Sequence, residues 1–370
     1  MRQFFVSFFA LLALAACSAP AQQVDPTNTP TPFQPVEPTR TASPNPATPT
    51  STATLSATPI PRTTLLFTGV IVPARCVQAA IDESGDPDYP YEAVRDIIQE
   101  ADLAIGTLNA TISDFPPKTG CGPTFVLVGD SRNADALANA GFDAMSVATN
   151  HIKNCGPSNC GDRAFFDTLE NLERVGIEYV GAGDNLEEAE QPIVLTANGI
   201  RFGIVSLGQL EELAFAGEDT PGIAVLTEES LTAAIKAVQS FSDVVIAMPH
   251  WGPETSPNPN ASQQKLAQVA VDAGADVVVG NHTHVVQAIE EIEGIPVFYG
   301  LGNFVFDQTW SRETQQAVIL ILTFEGTEFV EYELIPTHVD GEGHVTIADE
   351  DEAAEILDRI ELASQRLPSR

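Results

Sequence analysis

The sequence is poor in basic residues. It has 370 residues, with 17 Lys and Arg against 51 Asp and Glu, which gives a formal net charge of −34 at pH 7. No cluster of Lys and Arg interrupts this acidity. The chain therefore lacks a basic segment that could neutralise nucleic-acid phosphates or anionic lipid headgroups. We expect no nucleic-acid partner.

Long apolar runs are also scarce. The run at residues 4–16 follows Arg2 and is too short to span a bilayer permanently. It ends in Leu14-Ala15-Ala16-Cys17, which resembles the bacterial lipobox and implies cleavage before Cys17 and a lipid on its sulfur. The alternative is an ordinary secretory signal with an incidental cysteine. Either way we expect an extracytoplasmic protein, and the lipobox predicts a lipid anchor in a bacterial cell membrane.

Apolar periodicity is almost absent from residues 18–62, which are rich in Pro, Thr, Ser and Ala. Such a segment cannot bury enough surface to offset its chain entropy, and its prolines favour extended conformations. We predict four regions: a lipoprotein signal peptide at 1–17, a disordered stalk at 18–62, one large domain at 63–347 and a C-terminal amphipathic helix at 348–370.

Cys-x-x-Cys spacing is absent, which disfavours a zinc cluster built from cysteines. Four cysteines remain after the lipobox, an even number that export would oxidise. Three pairings are open. We favour Cys155 with Cys160, which closes a short polar loop, and Cys76 with Cys121.

Short apolar segments alternate with amphipathic ones after residue 63, which predicts an α/β fold. Two further segments, 317–325 and 328–336, alternate as in a hairpin. The predicted strands are 64–68, 103–105, 144–148, 202–206, 244–248, 277–279 and 297–299, and the predicted helices are 91–100, 163–174, 228–240, 263–273 and 353–367.

Four of the six histidines follow predicted strands, where α/β sheets bind ligands. Neutral imidazoles suit zinc, manganese or iron, and a histidine with ordinary titration can also act as a general acid or base. The alternative is a rim of hydrogen-bonded histidines without a metal. The predicted metal ligands are Asn150, His151, His250, His282 and His284, of which His151 and His250 are also the predicted catalytic residues.

Four motifs follow one another along the chain: Asn150-His151, His250-Trp251-Gly252-Pro253-Glu254, Gly280-Asn281-His282-Thr283-His284-Val285 and Tyr299-Gly300-Leu301-Gly302-Asn303-Phe304-Val305-Phe306. In order and spacing they resemble the CapA family, the capsule or poly-γ-glutamate biosynthesis proteins of the metallophosphatase superfamily. The resemblance implies a calcineurin-like four-layer αββα sandwich with a metal-binding rim. It also implies a role in making, exporting or anchoring an extracellular capsule polymer, so that polymer or its machinery is the expected partner.

Two positions depart from the family pattern. Val70 stands where the family's opening Gly-Asp motif has a ligand aspartate, and Asn109 replaces the glutamate of its Asn-Leu-Glu motif. Close divalent cations repel and need carboxylates to offset that repulsion. The remaining uncharged ligands therefore favour one metal ion over two, or none. A metal-dependent, phosphoesterase-like hydrolase and a non-catalytic scaffold both stay open.

Three further residues are expected to support the rim. Glu254 and Asp307 are predicted to bind imidazole N–H groups or to substitute for a missing carboxylate ligand. A solvated loop acid is the alternative for Glu254. Asn303, which lies between Gly302 and Phe304, is predicted to hold its turn by hydrogen bonds to the backbone.

Overall fold

The strands and helices follow the alternation expected from the sequence. The computed structural model describes residues 61–115, 120–153, 161–210 and 214–368. The strands are β1 (Arg62–Ile71), β2 (Leu103–Leu108), β3 (Thr111–Ile112), β4 (Val128–Gly129), β5 (Ala144–Ser146), β6 (Glu178–Val180), β7 (Ala182–Gly183), β8 (Ile193–Ala197), β9 (Ile200–Gly208), β10 (Gly222–Ile223), β11 (Val244–His250), β12 (Val277–Val279), β13 (Ile289–Ile292), β14 (Ile295–Phe298), β15 (Asn303–Val305), β16 (Gln316–Glu325), β17 (Glu328–Val339) and β18 (Val345–Ile347). The helices are α1 (Cys76–Ser84), α2 (Arg95–Glu100), α3 (Arg132–Ala140), α4 (Arg163–Val175), α5 (Leu186–Ala189), α6 (Glu228–Val238), α7 (Ala261–Ala273) and α8 (Glu350–Ser364), with 3-10 turns at Tyr89–Tyr91 and Glu313–Gln315.

Two large sheets carry the domain. The first has the order β18-β17-β16-β1-β2-β5-β6, and β15 pairs with the end of β1. The second has the order β13-β14-β12-β11-β9-β8. Strands β1, β2, β5 and β6 run parallel in the first sheet, and β9, β11, β12 and β14 run parallel in the second. The carboxyl ends of each parallel set therefore share one edge.

Side chains on the two faces of the sheets enter different cores. On β1, Leu65 and Phe67 belong to the core between the sheets, whereas Leu66 faces the core under the first set of helices. That outer core includes Leu137 of α3, and a third core on the far side of the second sheet includes Leu266 of α7. The layers are therefore helices, sheet, sheet and helices. The predicted four-layer αββα sandwich is confirmed.

The predicted hairpin is present as β16 and β17. The predicted helix at 91–100 is shorter, because Val94 has φ −119° and the α-helix begins after it. The C-terminal helix α8 inserts Ile356 and Ile360 into the core between the sheets, so it packs as part of the folded domain and not as a region outside it. Among the described residues, no helix is long and apolar enough to cross a membrane.

One predicted disulfide lies within the described residues. Cys76 at the start of α1 is bonded to Cys121, which confirms that pairing. Cys155 and Cys160 lie outside the described residues, as do Cys17, the signal peptide and nearly all of the stalk.

Gly69 lets β1 pass close to the segment before β15. A Cβ at position 69 would lie 2.1 Å from the carbonyl oxygen of Gly302, and the next residue, Val70, donates its backbone N–H to that same oxygen at 2.9 Å. Any larger residue at position 69 would push these two segments apart. They both end at the edge of the sheet where polar side chains collect.

We predict that Gly69→Ala lowers the free energy of unfolding by about 1–3 kcal/mol, the usual cost of overpacking a rigid backbone contact. Gly122→Ala is the matched control, because no atom lies within 4 Å of a Cβ at that position. Urea unfolding of both variants measures the difference. Equal stability of the two variants would contradict the steric argument.

Candidate metal centre

The candidate site lies where the carboxyl edges of the two sheets meet. Asn150 and His151 follow β5 of the first sheet, whereas His250 ends β11 of the second. His282 and His284 follow the neighbouring strand β12. The structure therefore brings together side chains that are more than 130 positions apart in sequence, as the strand-end positions predict.

A hydrogen bond between buried side chains joins the two edges. Asn281 Nδ2 donates to Thr107 Oγ1 at 2.7 Å, and Thr107 belongs to β2 of the first sheet. Asn281 directly precedes His282 and pairs with the backbone of His250. This contact fixes the spacing between the histidines of the second sheet and the residues of the first.

Three side-chain atoms that can act as metal ligands lie close together at this junction. His250 Nε2 lies 3.0 Å from Asn150 Oδ1 and 3.2 Å from His282 Nδ1. His282 has φ 101° and His284 has φ 61°, conformations that cost energy for residues other than glycine and that often mark functional sites. The turn after β12 therefore places the rings of His282 and His284 with their centroids 5.8 Å apart, and the His282 ring packs against His250.

Burial keeps these imidazoles neutral. His250 and His284 are 1% exposed and His282 is 3% exposed. Burial lowers the pKa of His282 to about 3 and that of His284 to about 4, from an ordinary value of 6.5. The pKa of His250 is also lowered well below 6.5, first by burial and then by the neighbouring histidines, His151 among them. Neutral imidazoles carry the lone pairs that a metal requires.

Asn303 fixes the orientation of His284. Its Oδ1 lies 2.7 Å from His284 Nδ1, and its Nδ2 donates to Gln308 Oε1 and to the carbonyl of Thr314. Because an amide oxygen only accepts, Nδ1 of His284 carries the proton and Nε2 keeps its lone pair. Asn303 thus stabilises its turn, as predicted, and also orients the ring of His284.

Glu254 lies at the exposed side of the cluster. Its Oε1 is 3.9 Å from His284 Nε2, and its side chain is 44% exposed. Ligand atoms of Glu254, His282 and His284 all lie within 4.8 Å of one another. Glu254 is therefore placed to supply a carboxylate ligand, the second of its two predicted roles.

Asp307 has a different partner from the one predicted. Arg75 binds its carboxylate through Nε at 3.1 Å and through Nη2, and the backbone N–H of Cys76 donates to it at 3.1 Å. Both side chains of this ion pair are nearly buried. The described structure thus pairs Asp307 with Arg75 instead of an imidazole, because the guanidinium offers a paired, charge-assisted interaction.

His151 stands at the edge of the cluster. Its backbone N–H donates to Asn109 Oδ1 at 3.0 Å, and its half-buried ring is stacked against Phe125 with centroids 6.4 Å apart. The converging donor atoms described above come from other residues. The structure thus places His151, itself a predicted ligand, beside the other four, and the residue is only half-buried.

The two positions that depart from the expected family pattern are buried and uncharged. Val70 and Asn109 are both fully buried, and Val70 packs in the core under the first helices. Trp251, which follows His250, is also a core residue, with its Nε1 donating to the carbonyl of Tyr299. Glu254 therefore supplies the negative charge beside the cluster.

A divalent cation fits this donor set. His250 Nδ1 has no hydrogen-bond partner in the described structure. The ring is therefore held by packing and by the contacts of its Nε2 with Asn150 and His282. Separations of 3.0 and 3.2 Å are about those of atoms that share one cation. Neutral nitrogen and amide oxygen donors, with one carboxylate nearby, suit zinc, manganese or iron.

The protein is thus an αββα sandwich that carries a cluster of histidine and asparagine side chains where the edges of its two sheets meet. The family model described as bacterial capsule synthesis protein PGA_cap matches residues 64–308. Since this match covers more than half of the chain, the protein belongs to that family.

Two curated relatives and two solved structures are similar to the chain. The PGA biosynthesis protein CapA of Bacillus subtilis (strain 168) is 29% identical over 255 residues, 68% of this chain and 66% of that protein. The capsule biosynthesis protein CapA of Bacillus anthracis is 28% identical over 265 residues, 69% of this chain and 62% of that protein. The chain thus spans just under two thirds of the length of these relatives. A novel phosphatase from Mycoplasma pneumoniae shares 13% identity with a TM-score of 0.48 (75% of this chain, 94% of that one), and a 5'-nucleotidase precursor from Thermus thermophilus shares 14% with a TM-score of 0.47 (82% and 58%).

We predict that the metal-free protein loses stability as the pH falls from about 6.5 towards 4. In this window the unfolded chain protonates its histidines, whereas the folded chain holds His250, His282 and His284 neutral. The unfolded state therefore binds more protons, and the free energy of unfolding decreases. Urea unfolding at several pH values with a chelator measures this slope.

His250→Leu provides the comparison for this prediction. Leucine fills a similar volume without a titrating group, so the slope of stability against pH should become shallower by about one proton. A variant whose slope matches the wild type would show that His250 does not titrate as its burial requires.

Proposed function

We propose that this protein is a CapA-like cell-surface lipoprotein that acts in the synthesis, export or anchoring of a capsule polymer of the poly-γ-glutamate type. We further propose that it binds one divalent metal ion at the histidine cluster. Family membership and the CapA relatives support the capsule role. The observation that carries the metal site is the convergence of Asn150 Oδ1, His250 Nε2 and His282 Nδ1 in a buried, neutral environment.

The charge of the cluster favours a single ion. Two divalent cations within a few ångströms repel strongly unless carboxylates lie between them. Val70 and Asn109 supply no negative charge, and Glu254 supplies one carboxylate at the rim. Asn150, His250 and His282 would hold the ion, with His284 and Glu254 on its open side. When bound, the metal would polarise a phosphoryl or carbonyl oxygen of a substrate.

The protein's own residues would orient a substrate and move its protons. Asn303 keeps the proton of His284 on Nδ1, so Nε2 stays available as a ligand. His151 is half-buried at the edge of the cluster, which makes it the candidate to deliver a proton to a leaving group. These roles describe a metal-dependent hydrolase of the phosphoesterase type.

A bound cation also resolves a conflict of charge. The net charge of −34 would repel an anionic polymer from most of the surface. At the histidine cluster, the imidazoles are neutral and the metal would be the dominant charge. The polymer or its anionic precursor would therefore be attracted to this edge of the sheets.

The second candidate function is a non-catalytic scaffold on the same fold. It is favoured by Val70, whose side chain lies in the apolar core where the family has a ligand aspartate. In that case the histidine cluster would stabilise the rim, and the surface around it would bind the capsule machinery.

We predict that the purified full-length chain retains about one zinc, manganese or iron ion after dialysis, measured by elemental analysis. His250→Leu should reduce metal retention at least about tenfold, because it removes the nitrogen shared by both close contacts. His338→Leu is the control, since His338 is paired with Glu352 outside the cluster. Equal metal content in the wild type and His250→Leu would refute the proposed centre.

A second prediction tests the capsule role in the bacterium that encodes the chain. A deletion strain complemented with the wild-type gene should retain capsule polymer at the cell surface, whereas Cys17→Ser, which removes both the lipidation site and the cleavage signal, should lower the amounts of mature protein and of polymer at the surface. Antibody staining and polymer assay of cells and medium measure both quantities. Unchanged polymer in the deletion strain would contradict the role, and polymer retention by His250→Leu cells would favour the scaffold over the hydrolase.

A further inference from the structure

Asn109 presents an unused hydrogen-bond donor beside the histidine cluster. We propose that its Nδ2 donates to an anionic oxygen of the ligand, a carboxylate or phosphate oxygen, so that this position forms an oxyanion subsite. The inference rests on the proposed function, because it concerns the ligand of the same cluster. It assigns Asn109 a binding role that differs from that of the carboxylate it replaces.

The orientation of the Asn109 amide follows from its neighbours. The backbone N–H of His151 points at the side-chain oxygen of Asn109 at a distance of 3.0 Å. Since a backbone N–H can only donate, the atom that faces it must be Oδ1. The NH₂ group therefore faces away from this contact, and the assignment of oxygen and nitrogen is not arbitrary.

The backbone holds Asn109 equally firmly. Its own N–H donates to the carbonyl of Ile71 at 2.9 Å, at the end of β1, and the residue is fully buried. In the described structure, its Nδ2 has no hydrogen-bond partner. A buried donor without a partner is costly and is rare in folded proteins. A ligand oxygen would remove that cost.

The position of Asn109 connects it to the side chains of the histidine cluster. His151, which it holds, directly follows Asn150, whose Oδ1 is 3.0 Å from His250 Nε2. Two residues before Asn109, Thr107 binds Asn281 across the junction of the sheets. Asn109 therefore follows the end of β2 and is connected to the cluster in two ways, through its own contact with His151 and through the contact of Thr107 with Asn281.

The chemistry of the amide selects an anion. An N–H group attracts an anionic oxygen and repels a cation, whereas a glutamate at this position would do the reverse. The adjacent family position is Val70, which adds no negative charge. The pair of substitutions therefore changes this side of the cluster from a place for a cation to a place for an oxyanion.

The test compares three variants of the full-length protein by calorimetric titration. Asn109→Asp keeps the acceptor for His151 but replaces the donor by a negative oxygen, and Asn109→Leu removes both the donor and that acceptor without adding charge. Asn185→Asp is the charge control, because Asn185 caps α5 with its side-chain oxygen and aspartate caps equally well. Inorganic phosphate and the dipeptide γ-glutamyl-glutamate are the probes, each titrated with and without added Mn²⁺.

We expect Asn109→Leu to weaken binding of the preferred probe by about 10-fold to 100-fold, the effect of one hydrogen bond to a charged group. Asn109→Asp should weaken it at least as much and should raise the affinity for Mn²⁺. Asn185→Asp should match the wild type in both respects. The preferred probe, phosphate or dipeptide, distinguishes a phosphoryl ligand from a carboxylate ligand.

Other outcomes would overturn the inference. These are wild-type affinity for both probes in Asn109→Leu, or no measurable binding of either probe to the wild type. Thermal unfolding confirms that each variant is folded, and the leucine variant alone decides the question if the aspartate variant is not. Failure of the proposed metal site has a separate signature, namely no Mn²⁺ binding by the wild type while binding of the probe still depends on Asn109.

Discussion

The hydrogen bond between Asn281 and Thr107 joins the carboxyl edges of the two sheets, and the candidate site depends on that junction. Each sheet alone carries only part of the donor set: Asn150 and His151 belong to the first, and His250, His282 and His284 to the second. The close passage of Gly69 under Gly302 brings the end of β1 to the same junction. A shift of one sheet by a single residue would separate atoms that now lie 3.0 and 3.2 Å apart. The four-layer packing is therefore what makes a site from strand ends.

Burial and charge act together at this junction. Three imidazoles stay neutral because they are almost completely removed from water, and removal from water is tolerable because no formal charge has to be buried with them. Glu254, whose carboxylate lies 3.9 Å from His284 Nε2, stays partly exposed, and the buried Asp307 is neutralised by Arg75. The strong acidity of the chain thus lies elsewhere, on solvated faces such as the start of α8.

Much of this arrangement could be predicted from the sequence, because it follows from local patterns. Short continuous apolar runs located β1, β9 and β11, and polar residues after such runs located the histidines. Helices α1 and α3 were not predicted, since each has only nine residues and buries few large apolar side chains: Val77 and Ile81 in α1, and Leu137 with several alanines in α3. The Arg75–Asp307 pair and the Asn303–His284 contact were missed or misassigned for another reason. They depend on side-chain packing between segments whose relative placement no local pattern encodes, and Arg75 lies 232 positions from its partner.

The two departures from the family pattern have one physical meaning when they are considered together. Loss of two carboxylates weakens the capacity to hold a second cation, because the repulsion between ions is no longer offset. The same loss removes the negative charge that would repel an anionic ligand from the site. With one metal as proposed, a neutral cluster with an exposed Glu254 and an unpartnered Asn109 amide would therefore bind an anion more readily than a site with two more carboxylates. Degeneration of the metal centre and adaptation to an anionic polymer would both replace these carboxylates. The two explanations differ in whether Asn109 Nδ2 donates a hydrogen bond to a ligand.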